Sequence, residues 1–141
     1  MEIGNNSIVY LQVRCHRMSH VVKSRFSISS PRFDAGFLTE MFPWRVVETD
    51  AADQTHPHIT VFDLGVGEHH RVDSHLVAAK AALLKHESDL DSICGDDCGF
   101  VLWISYRFPT KDGAININPS ASAAFGLLRV ELVFHLTPHD T

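Results

Sequence analysis

The stretch "HPHITVFDLGVGEHHRVDSH", residues 56–75, holds five of the ten histidines in the chain and is the first place to look for chemistry. Histidine binds zinc when three or four ligands of the His, Cys, Asp or Glu type converge. His56 and His58 are two apart, so in an extended strand they share a face. His69 and His70 are adjacent and point apart in extended chain, so at most one joins a given site. His75 falls in the first turn of a helix. A metal site of His56, His58 and His70 requires a hairpin to bring them together, and the spacing does not enforce that. The simpler reading is a solvated, loop-borne histidine cluster.

A second ligand set is formally available. Cys94 and Cys98, in "CGDDC", are separated by three residues, and Cys15 and His20 could complete four ligands. The strong zinc signature is one C-x-x-C pair answered by another. Here the glycines read more simply as helix breakers. Nucleophilic catalysis is disfavoured at Cys94, because the neighbouring Asp96 and Asp97 raise a thiol pKa. No G-x-S-x-G turn, P-loop or dinucleotide-binding glycine pattern is present. The carboxylates Glu87, Asp89, Asp91, Asp96 and Asp97 crowd a helix end and the loop after it. Acids at a helix C-terminus oppose the macrodipole, which hints at another role: an interaction surface for a basic partner. The plain alternative is a solubilising face.

The elements that must position these groups follow from periodicity. Residues 7–13 read as a strand or part of an N-terminal extension. Residues 20–28 alternate, with Val22, Ser24, Phe26 and Ile28 on one face. Residues 29–43 read as a short helix capped by Ser29 or Ser30, with Pro31 in its first turn. Strands are expected in "WRVVET" and "HITVFDLGV", joined as a hairpin. The clearest helix spans 73–90, with an apolar stripe of Leu76, Val77, Leu83, Leu84 and Leu90. "FVLWISYRF", 100–108, is apolar on both faces and reads as a well-buried strand. A turn, a short strand "AININ", a helix with Ala121, Ala124, Phe125 and Leu128 inward, and a half-buried strand over 129–136 complete the chain. The tail "TPHDT" is expected to fray.

Composition sets the outer bounds. At 141 residues, 45% hydrophobic and 21% charged, the chain suits one globular domain. Its formal charge of −5 argues against sequence-independent nucleic-acid binding. No apolar run approaches a bilayer span, no secretory signal is visible, and three cysteines fit a reducing compartment. The expectation is a cytoplasmic α+β domain over 1–141. Its mostly antiparallel sheet has five to seven strands, with two or three helices packed on it. Residues 1–20 are an extension or an extra edge strand. No cofactor, nucleic acid or membrane is expected, and the oligomeric state is monomer or homodimer.

The opening "SRFSISSPRFDAGFLTEMFPW" and the ending "GAININPSASAAFGLLRVELVFHL" resemble bacterial family 4279 of domains of unknown function. The resemblance covers roughly residues 20–136 and lies in the order of elements. The direct run from Pro43 into "WRVVETD" departs from the family pattern. Small domains of this kind are often encoded beside polymorphic toxins. The resemblance therefore implies a non-enzymatic immunity protein that binds and neutralises a cognate bacterial toxin, and it carries no catalytic residues. The competing reading is a small metal-binding protein or metal-dependent enzyme built on the 56–75 histidines.

Overall fold

The structure, a computed structural model, describes residues 21–109, 117 and 119–139. The strand expected over 7–13 and the ligands Cys15 and His20 lie outside the described residues. So does the 110–118 turn and short strand, except Ile117. The elements run β1 (Val21–Ser30), α1 (Ala35–Met41), β2 (Arg45–Asp50), β3 (His58–Asp63), α2 (Val72–Leu84), α3 (Glu87–Ile93), β4 (Gly99–Pro109), α4 (Pro119–Leu127) and β5 (Val130–His139). The fold is α+β, as the alternation of strands and helices implied, with four helices among the described residues where two or three were expected.

The sheet order is β2-β3-β1-β4-β5. The β2–β3, β3–β1 and β1–β4 pairs are antiparallel, and β5 joins β4 in parallel after the α4 crossover. Side-chain alternation sorts the sheet into two faces. Val22, Ser24, Phe26, Ile28 and Ser30 of β1 are buried, with Phe62 of β3 and Leu102, Ile104 and Tyr106 of β4. Against them pack Leu38 of α1, Leu76, Ala79 and Leu83 of α2, Leu90 and Ile93 of α3, and Ala121 and Phe125 of α4. Fully burying one such leucine or phenylalanine contributes about 1.5–3 kcal/mol. An aromatic cluster anchors one side of this core. Trp44 stacks on Phe42 at 4.7 Å and meets Phe26 and Phe62 edge-on, each at 5.6 Å.

Several expectations are corrected. β4 is not buried on both faces: Trp103 is 48% exposed, because the described helices all contribute to the core on the other face of the sheet. The first helix starts later and is capped by Asp34, whose Oδ1 accepts the Phe37 N–H at 2.9 Å. Ser30 instead ends β1, its Oγ accepting the Arg32 and Phe33 N–H groups. The single helix expected over 73–90 breaks at Lys85–His86, with His86 at φ −119°. Neither glycine nor proline lies there. The His86 ring turns inward instead, edge-on to Trp44 at 5.1 Å and to Phe42 at 5.9 Å. The α2 stripe is also rotated from the expected one. Val72, His75, Leu76, Ala79 and Leu83 are buried, while Val77 and Leu84 are exposed. The strand expected to end at 136 continues to His139, paired with β4 through Pro109↔His139, so Thr137–His139 are not frayed.

Between β3 and α2 the chain must reverse within a few residues. Gly65 and Gly67 do this at φ 76° and 75°, in the left-handed region that side chains other than glycine rarely adopt. The reversal returns His69 to β1, where its backbone exchanges two hydrogen bonds with Val22, at 2.7 and 2.9 Å.

Candidate functional site

The five acids read as a binding surface are carried by α3 and the turn after it. The break at His86 changes their physics. Glu87 and Asp89 now occupy the first turn of α3, where the helix dipole favours negative charge. For these two acids the expected opposition to a macrodipole is overturned, while Asp91 lies in the last turn of α3 and Asp96 and Asp97 follow its C-terminus. Asp97 is engaged by Arg32, with Nε and Nη2 at 3.2 and 3.3 Å from its carboxylate. Among the described residues, Glu87, Asp89, Asp91 and Asp96 take part in no ion pair.

Glu87 and Asp91 line a cleft of about 380 Å3 with Leu90, Cys94, Leu127 and Arg129. Leu127 is 84% exposed at the end of α4. The chain turns there through Arg129 at φ 59°, and Arg129 Nη1 donates to Cys94 Sγ at 3.5 Å. The cleft thus offers two carboxylates that form no ion pair among the described residues, an exposed apolar side chain and one guanidinium.

The histidines separate. His56 sits in the β2–β3 loop, not on the strand. Its Nδ1–H donates to the Pro57 carbonyl at 2.9 Å, and its Nε2 lies 3.2 Å from Asp53 Oδ2. The Pro57 carbonyl, then the Asp53 and Asp50 carboxylates, raise its pKa above the usual value. Asp53 is held below the usual carboxylate range, chiefly by the Thr55 hydroxyl. His58 opens β3 and accepts the Ala52 N–H on Nδ1 at 3.0 Å. His70 follows the opposite end of that strand. β3 has six residues, about 20 Å of extended chain, so the proposed set of His56, His58 and His70 does not converge. Among the described residues, no three His, Cys, Asp or Glu side chains gather as metal ligands. Burial, with help from Cys94 and Asp97, pushes the Cys98 thiol up to about 11, which opposes its use as a thiolate.

One polar network went unread in the sequence. His75, fully buried on α2, shares a hydrogen bond with Ser24 Oγ through Nε2 at 2.6 Å and with His69 Nδ1 through its own Nδ1 at 2.8 Å. Burial first, and the neighbouring His69 second, push its pKa down to about 4, so His75 is neutral at pH 7. A neutral imidazole has one N–H, so it donates on one side and accepts on the other. The connectivity is that of nucleophile, base and orienting group. Ser24, however, is only 8% exposed on the helix-covered face of β1, so its hydroxyl is presented to α2 and not to a substrate. The network ties the start of α2 to β1 and to the returning loop. The available signal was Ser24 on the inward face of β1 together with a histidine at i−4 from the buried Ala79.

Comparison of the chain with protein-family models, with curated proteins and with solved structures finds no match.

Proposed function

We propose that this protein is a non-enzymatic, cytoplasmic binding protein that neutralises a cognate bacterial toxin by docking the acidic end of α3 onto a basic surface. The observation that carries the reading is the set of carboxylates Glu87, Asp89, Asp91 and Asp96. They make no ion pair among the described residues, and two of them line a cleft beside the exposed Leu127. A patch of one charge sign accelerates association with a complementary partner and fixes its orientation. An exposed leucine within a charged rim supplies apolar contact once water is excluded. The toxin as partner rests on the resemblance in element order, and the basic surface rests on charge complementarity.

The test is complex formation between the purified protein and the products of the genes beside its own. Titration calorimetry is expected to give a saturable complex with one of them, and co-expression is expected to relieve that product's toxicity. Absence of any complex, with no toxic product encoded nearby, overturns the proposal.

A further inference from the structure

The face of the sheet opposite the core gathers cations at one corner. The register lays Lys23, Ser105 and His135 side by side across β1, β4 and β5, and lays Arg107 and Thr137 side by side in the next row. Alternation along each strand puts these five side chains on the same, exposed face. They line a cavity of about 400 Å3 together with Glu68. The chain as a whole carries −5, so an ammonium, a guanidinium and an imidazole around one hollow run against its average charge.

We propose that this hollow binds a phosphate monoester carried by a small organic molecule. A guanidinium matches two phosphate oxygens with parallel N–H donors, and an ammonium adds a point charge. The Ser105 and Thr137 hydroxyls donate to further oxygens. The carboxylate in the hollow, Glu68, lies 3.9 Å from Lys23, and both side chains are more than half exposed. Such a loose pair contributes little, so an incoming phosphate competes for Lys23 readily. The cavity lies in the size range of small-molecule sites and exceeds what a bare phosphate fills. Trp103 stands in the adjoining row of the same face, its indole N–H fixed to Ser27 Oγ at 2.9 Å and its ring half-exposed. It offers a surface for a planar organic group and a fluorescent reporter. The site shares no residue with the α3 cleft, so it stands or falls independently of toxin binding.

The experiment titrates the full-length protein with adenosine monophosphate, adenosine and inorganic phosphate, read by calorimetry and tryptophan fluorescence. Adenosine monophosphate is expected to bind saturably with a dissociation constant below about 1 mM, and at least tenfold more tightly than adenosine or phosphate. Arg107→Gln and Lys23→Gln, both exposed and checked for folding by circular dichroism, are each expected to weaken it at least fivefold. Glu68→Gln is expected to tighten it. No saturable binding overturns the proposal. So does equal binding of adenosine, equal binding of bare phosphate, or an affinity unchanged in Arg107→Gln.

Discussion

The buried His75 makes stability depend on pH in a way that a single substitution can isolate. Unfolded, its imidazole takes a proton near pH 6.5; folded, it resists until about pH 4. Between those values the unfolded chain binds more protons than the native one, so acid favours unfolding. The contribution of neutral His75 is fully present above about pH 6.5 and is lost as pH falls through about 4. The gap of about 2.5 units, at about 1.4 kcal/mol per unit, sets a ceiling near 3.5 kcal/mol, and about 2–3 kcal/mol is expected by pH 4. The assay is urea unfolding from pH 7.5 to pH 4 of the wild type and of His75→Gln. At pH 7.5 the variant is less stable, because Ser24 and His69 lose their shared imidazole. As pH falls, the two curves should converge by about 2–3 kcal/mol. Shifts at His56 or Asp53, which belong to the distant β2–β3 loop, cancel in the difference. Curves that stay parallel to within about 0.5 kcal/mol would refute the account of His75 as a neutral, proton-excluding link.

Three further outcomes follow from local substitutions. Thr60 is fully buried and its hydroxyl finds no partner among the described residues, so Thr60→Val should raise unfolding free energy by about 1 kcal/mol, measured by urea denaturation; a loss of stability would mean the hydroxyl is bonded. Gly65→Ala has open space for the added methyl but forces alanine to φ 76°, so a loss of about 1 kcal/mol is expected, checked by thermal melting. The double variant Glu87→Lys/Asp91→Lys should slow association with the proposed toxin partner at least tenfold while leaving the melting temperature within about 5 °C, because these side chains are exposed.

Much of the fold was legible because strand alternation is a strong signal. Val22, Ser24, Phe26 and Ile28 of β1, the β2–β3 hairpin and the inward Ala121, Phe125 and Leu128 all lie where periodicity put them. The helix break at His86 was not legible, since its partners Phe42 and Trp44 come from more than forty residues earlier in the chain. The one-sided exposure of β4 was hidden for a related reason. Its outward residues Val101 and Trp103 are apolar, so pattern alone could not reveal that the helices cover only one face. The histidines misled through local spacing. His56 and His58 look paired in sequence, yet each is bonded within the β2–β3 loop region. The link that does form, from His75 to Ser24, spans 51 residues. The acidic surface was legible as composition, while the helix-N-terminal placement of Glu87 and Asp89 depended on the break.

The most direct test of the proposed binding role is the salt dependence of association, by stopped-flow mixing, between this protein and whichever product of the genes beside its own forms the complex proposed above. If the α3 carboxylates steer a basic partner, the rate should fall steeply as ionic strength rises from about 0.01 M to 0.15 M, and the Glu87→Lys/Asp91→Lys variant should lose both the fast rate and its salt dependence. A complex that forms at the same rate at every salt concentration, or equally well with the variant, would contradict the assignment of α3 as the docking surface.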